Sequence, residues 1–193
     1  MLVFFDGPQQ SGKSSLIEEL AKIGFGKGLK FPFSKYTQEY GFILDHEIKG
    51  FQIGKDMATL YYLSNLPQPK ENYLMDRGPL STLFYSLTHN RLDAVELSNL
   101  SKEINEYQKK GQIKFVFVVP KNRPKLSRFK LDGFDGLDLD NRLKSDLNQF
   151  YRFAEYHNLN FIKFENNFSK PIEENAKALA EILFGEINGD KDF

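Results

Sequence analysis

The sequence contains no cysteine, which excludes disulfides, thiolate metal sites and cysteine nucleophiles. It has no stretch approaching 18 consecutive apolar residues, so no segment is expected to span a membrane. The opening Met1-Leu-Val-Phe-Phe-Asp6 is too short for a secretory apolar region and lacks a basic lead-in; the expected location is cytoplasmic. Surplus charge is also missing, because 26 Lys and Arg stand against 26 Asp and Glu. Proteins that hold long nucleic acids usually carry a basic surface, since each neutralised phosphate releases counterions. Polymeric nucleic acid is therefore not the expected partner. Arginine is scarce, with only Arg77, Arg91, Arg123, Arg128, Arg142 and Arg152 available for bidentate phosphate clamps. The histidines, His46, His89 and His157, show no metal-ligand spacing.

What is present is enough for a real core. Hydrophobic residues make up 40% of 193, including 19 Phe and 9 Tyr, and the length fits one domain over residues 1–193. Leu2-Val-Phe-Phe5 reads as a buried strand, a short apolar run closed by a Gly-Pro turn. A helix follows from Ser14 to Ile23, with Leu16, Ile17, Leu20 and Ile23 at helical spacing. Leu29-Lys-Phe31 predicts a short strand, residues 52–65 a helix, and Tyr73-Leu-Met75 a strand ending at Asp76. Helices are predicted at Pro79 to Thr88, Ala94 to Lys110, Leu139 to Tyr156 and Pro171 to Phe184. Strands are predicted at Ile113 to Val119, where Phe115 and Phe117 share one core face, and at Leu159 to Phe164. The tail 185–193 is expected to fray. Alternating strands and helices imply an α/β fold: a five-stranded parallel sheet flanked by helices, with right-handed crossovers.

Gly7-Pro-Gln-Gln-Ser-Gly-Lys-Ser14 matches the phosphate-loop pattern G-x-x-x-x-G-K-[ST] in full. The spacing follows from the chemistry. A loop that wraps a phosphate must turn successive backbone N–H groups inward, which glycine permits, and must lead into a helix whose N-terminus favours an anion. Average residue usage puts the pattern in roughly one random chain in a hundred. Here it also lies between a buried strand and an amphipathic helix, the context the mechanism needs. Residues Gly7, Gln10, Ser11, Gly12, Lys13, Ser14 and Ser15 are the expected ATP-binding set, with Lys13 on the β- and γ-phosphates and the Ser14 hydroxyl on Mg²⁺.

Asp6 and Asp76 both end predicted strands, where ligands bind in this class of fold. An acid beside the phosphate loop can hold Mg²⁺ directly or through water, and Asp76 is the expected metal-linked acid. No N-K-x-D or D-x-x-G motif occurs, which disfavours a GTPase. Arg77 stands where motor-type ATPases usually place a glutamate; a cation there suits phosphoryl transfer to an anionic acceptor. These features point to a small kinase. The segment Lys121 to Lys130 carries five cations in ten residues, and Gly133 and Gly136 offer hinge freedom. It is the candidate lid (120–137), with Arg128 first and Arg123 second as stabilisers of transferring charge, although Pro124 would interrupt a helix there.

These residues resemble the thymidylate kinase and deoxynucleoside kinase group of P-loop kinases. Phe5-Asp6-Gly7 with Gly12-Lys13-Ser14-Ser15 resembles the group's F-E-G…G-K-S-T. Asp76-Arg77, Ser81 and Phe84-Tyr85 resemble its D-R-Y-x-x-S-x-x-A-Y, and Phe31-Pro32 resembles F-P-x-R. Leu60-Tyr-Tyr-Leu-Ser-Asn65 resembles the segment before A-N-R, and Pro171-Ile-Glu-Glu-Asn-Ala the final helix. The resemblance implies a mobile lid, a homodimer and phosphorylation of a small nucleotide or nucleoside. It implies an acceptor site of Phe31, Lys35, Tyr62, Arg77 and Tyr85, and it sets Asp6 where deoxynucleoside kinases keep the carboxylate that takes the 5′-hydroxyl proton. Gln9, Ser34 and Leu66 depart from the pattern at positions that normally touch the acceptor. The donor half thus matches while the acceptor half is altered. A (deoxy)nucleoside monophosphate, thymidylate first, is the expected acceptor. A nucleoside, the 5′ end of a polynucleotide, or NTP binding without transfer are the alternatives.

Overall fold

The computed structural model describes residues 1–8, 10–29, 71–78, 80, 94–122 and 136–185. Its elements in chain order are β1 (Leu2–Asp6), α1 (Lys13–Lys22), β2 (Lys27–Leu29), β3 (Tyr73–Asp76), α2 (Ala94–Lys109), β4 (Ile113–Lys121), α3 (Gly136–Tyr156), β5 (Ile162–Asn167) and α4 (Ile172–Phe184). All strand pairs are parallel and the sheet order is β2-β3-β1-β4-β5. The expected α/β architecture is therefore present. Because β3 lies on one side of β1 and β4 on the other, the crevice of this open sheet falls at the carboxyl end of β1.

β1 is buried along all five residues, as a central parallel strand covered on both faces must be. Its side chains alternate between two cores. Leu2 and Phe4 join Met75, Phe115, Phe117 and Phe150, so this core lies between the sheet and α2 and α3. Val3 and Phe5 join Leu16, Val116, Val118 and Leu179 beneath α1 and α4. The Phe4 and Phe115 rings stack at 5.4 Å, and those of Phe117 and Phe150 at 4.0 Å. Phe115 and Phe117 share the core face read from their spacing.

The boundaries of β2, β4 and β5 differ from expectation, β5 also running on to Asn167 rather than stopping at Phe164. β2 starts at Lys27 rather than Leu29, and residues 30–31 of the predicted strand lie outside the described residues; Gly28, without a side chain, lies flat against Ile17 and pairs opposite Leu74. β4 continues beyond Val119 through Pro120. Its pairing with β1 stops at Phe117, so the proline lies where β4 has β5 as its ladder neighbour, opposite Asn166. β5 begins at Ile162 rather than Leu159, because Leu159 closes α3. Asn158 takes φ 52°, its N–H donates to Glu155 O at 3.1 Å, and the Leu159 N–H donates to Ala154 O at 2.8 Å.

Helix α3 starts at Gly136, three residues earlier than Leu139. The predicted helix at 52–65 and most of the one from Pro79 to Thr88 lie outside the described residues, as does the tail beyond Gly185. Of the candidate lid, Pro120 and Lys121 belong to β4 and Gly136 opens α3; residues 123–135 lie outside the described residues. Among the described residues, no helix is long and apolar enough to cross a membrane.

Candidate functional site

The turn that leaves β1 is packed against the sheet and folded around a lysine. Gly7 follows the fully buried Asp6 with φ 133°, and a Cβ there would stand 2.4 Å from the Val118 carbonyl oxygen. The turn ends at Gly12, which caps α1 without any side-chain hydrogen bond. The first residue of α1 is Lys13, whose ammonium folds back into the loop. It donates to Gly7 O at 3.1 Å, Pro8 O at 2.7 Å and Ser11 Oγ at 3.3 Å. Burial pushes the Lys13 ammonium down to about 8; Asp76 and Asp6 partly restore it, and the Arg77 guanidinium opposes them.

One residue further on, the Ser14 hydroxyl donates to Oδ2 of Asp76 at the end of β3. The start of α1 is thereby tied to a strand two places from β4. Oδ1 of Asp76 is buried without a hydrogen-bond partner among the described residues. A hydroxyl and a carboxylate are hard oxygen donors of the kind Mg²⁺ takes, and the orphan oxygen leaves acceptor capacity for a cation. Among the described residues, no group of three or more histidine, cysteine, aspartate or glutamate side chains could cage a metal. An ion held by Ser14 and Asp76 would complete its shell with water and phosphate oxygens, the habit of Mg²⁺.

Two non-glycine residues here adopt left-handed backbone conformations: Gln10 with φ 60° and Arg77 with φ 66°. Such conformations cost energy and collect at functional sites. Arg77 is held there by its own N–H, which donates to Phe5 O at 2.9 Å, and its side chain is exposed.

Asp6, Gly7, Gln10, Ser11, Gly12, Lys13, Ser14, Ser15, Asp76 and Arg77 thus converge at the carboxyl ends of β1 and β3. Phe31, Lys35, Tyr62, Tyr85, Arg123 and Arg128 lie outside the described residues. One residue at the site escapes the sequence patterns. Asn166 of β5 is 3% exposed, and its side-chain amide donates to Ser11 O at 2.9 Å across 155 residues of sequence. Its one signal in the sequence is an Asn-Asn pair at the end of an apolar strand.

No protein-family model matches the sequence, and no curated protein matches it. Solved structures do. Deoxyadenosine kinase from M. mycoides with bound dCTP superposes with a TM-score of 0.55 at 16% identity, over 95% of this chain and 98% of that one. Thymidylate kinase from Candida albicans superposes with a TM-score of 0.59 at 18% identity, over 94% of this chain and 90% of that one. Shikimate kinase from Acinetobacter baumannii in complex with shikimate gives 0.50 at 15% identity, over 94% and 92%. At such identities the likeness is one of fold, and the fold is that of the P-loop kinases. The first two are enzymes of the group that the sequence resembles.

Proposed function

We propose that the chain is an ATP- and Mg²⁺-dependent phosphotransferase acting on a small nucleotide, in the first reading a (deoxy)nucleoside monophosphate. The observation that carries this reading is the turn after β1, where a buried ammonium sits inside a ring of loop atoms with a hydroxyl–carboxylate pair at its rim. In this reading the loop's N–H groups and Lys13 receive the β- and γ-phosphates, and Ser14 and Asp76 hold the metal. The metal, when bound, neutralises charge on the transferring group. Arg77 binds the acceptor phosphate and Arg128 closes over the site, with Arg123 in support. The acceptor lies between Phe31, Lys35, Tyr62, Arg77 and Tyr85, with Tyr62 on its base. The group's known enzymes support these roles through the matching motifs alone.

A second reading, a nucleoside acceptor, is favoured by one observation. Asp6 is a fully buried carboxylate at the end of β1 whose charge acts on Lys13. A carboxylate there can take the 5′-hydroxyl proton as general base, whereas a monophosphate oxygen needs no strong base. Labelled ATP offered with each nucleoside, deoxynucleoside and monophosphate tests both readings. Label is expected on one monophosphate, thymidylate first. Asp6→Asn is expected to cost about a hundredfold or more with a nucleoside acceptor, the scale of a lost general base, and far less with a monophosphate. Equal losses remove the base role, and an absence of transfer to every acceptor removes the kinase reading.

The lowered Lys13 gives a pH signature. The loop lysine loses its charge from about pH 8 upward, while an unfolded lysine keeps its proton to its ordinary value of 10.5. Over that window the unfolded chain binds more protons, so folding stability rises with pH. Triphosphate affinity must fall over the same window, since its terminal phosphate, titrating near about pH 6, is already fully ionised. In metal-free buffer, calorimetry near pH 9 is expected to show proton uptake when an ATP analogue binds. Binding that is independent of pH from 8 to 10.5, with no proton taken up, would contradict the assignment.

A further inference from the structure

We infer that Asn166 is a positioning residue for phosphate binding: its side-chain amide orients the Ser11–Gly12 peptide so that the Gly12 N–H faces the bound anion. This rests on the phosphate-loop reading proposed above. The geometry is direct. The Asn166 amide donates to Ser11 O at 2.9 Å, and the contact is buried. A peptide unit is planar and trans, so its C=O and N–H point in opposite directions. With the Ser11 carbonyl drawn toward β5, the N–H of Gly12, which belongs to the same peptide unit, points away from β5. An anion in the loop needs a donor on that side. Were the peptide to flip, it would offer the anion a carbonyl oxygen instead, and glycine at position 12 makes such a flip easy.

Two further observations support the role. A Cβ at position 12 would stand 2.2 Å from the Asn166 amide nitrogen, so the asparagine lies directly against the glycine. The strand end that carries the asparagine is braced from several sides. Asn175, 5% exposed near the start of α4, accepts from the Asn167 N–H at 3.1 Å and donates to Asn167 O at 3.0 Å. Asn122, just after β4, donates to Asn167 Oδ1 at 3.1 Å, and the Phe168 N–H donates to Lys121 O at 2.9 Å. The ends of β4, β5 and α4 are thereby braced around the residue next to Asn166. A buried amide at this point costs stability unless its hydrogen bonds are made, and the bond it makes is to the phosphate loop.

The test uses inorganic triphosphate in metal-free buffer as the probe. In the ¹⁵N-labelled native protein, the Gly12 amide proton is expected to move downfield as triphosphate is added. Asn166→Leu and Asn166→Ala both remove the donor without adding a charge beside the anion. Each is expected to bind triphosphate roughly tenfold more weakly, the size of one lost hydrogen bond, with a reduced Gly12 shift. In turnover assays the KM for the triphosphate donor rises and that for the acceptor does not. A merely structural asparagine would lower the unfolding temperature of the variants and leave triphosphate affinity and the Gly12 shift untouched. That result would overturn the inference while the kinase reading stood. If neither variant folds, the native spectrum decides, because a Gly12 amide that stays still while other loop amides shift also overturns it. Failure of the native protein to bind triphosphate at all would instead bring down the phosphate-loop reading and this inference with it.

Discussion

Lys13→Ala is expected to lower phosphoryl transfer by at least about a hundredfold, the scale seen when one preorganised donor to developing charge is removed. The effect should fall on kcat as well as on donor binding, because charge accumulates on the transferring group in the transition state. Folding should be nearly unaffected, for two opposing reasons. The ammonium makes hydrogen bonds to Gly7 O and Pro8 O that alanine cannot replace. It also carries the desolvation cost that lowers it to about 8. Removing both together leaves a net change expected to be within about 1 kcal/mol. Steady-state kinetics with the panel acceptor, beside urea unfolding of the same sample, separate the two effects. A variant that turns over at the native rate would show that the loop lysine does not touch the reacting phosphate.

Gly7→Ala is expected to have the largest effect on stability. The residue sits at φ 133°, where a side chain is strained, and its Cβ would stand 2.4 Å from Val118 O and 3.2 Å from Val118 N. These are backbone atoms, and Val118 is paired with Phe164 inside the sheet, so nothing nearby can swing aside. Backbone strain of about 1–3 kcal/mol adds to an overpacking cost of similar size. A loss of about 3 kcal/mol lowers the unfolding temperature by roughly 6–12 °C in a chain of this length. The loop can escape only by lifting off β4, which would disperse the N–H groups that line it. Triphosphate binding should therefore vanish even where the variant remains folded. Native stability in this variant, measured by thermal and urea unfolding, would mean that the turn does not press on β4 as described.

The parts of the site that lie within one stretch of chain are legible in the sequence itself. Gly7 to Ser14 carries its own signal, since a buried strand, a turn with fixed glycines and a helix follow one another without interruption. Asp76 is legible because it ends an apolar run, and the structure sets it against the Ser14 hydroxyl. Boundaries are lost where a tertiary contact overrides the local pattern. Leu159 looks like the first residue of a strand because it is apolar and precedes Phe161, yet it closes α3 and is buried there. Pro120 looks like a strand terminator, and the sheet accommodates it because β1 has already stopped pairing. The Asn166–Ser11 contact is hidden in the sequence for a simpler reason, beyond the weak signal of the Asn-Asn pair. The two residues are 155 apart, and no periodicity links a strand near one end of the chain to a loop near the other.

The alternation of β1 between two cores has a consequence for how this chain can change. Phe4 faces one layer of aromatic neighbours and Phe5 the opposite layer. Substitutions of similar volume can be absorbed in either layer separately. Deleting or inserting a single residue cannot, because it would exchange the occupants of both layers at once and shift the point from which the loop departs. The distance in residues from the start of β1 to Gly7 is thus a quantity the fold measures. Variation in length among descendants of this sequence should be absent from the residues between the start of β1 and the start of α1.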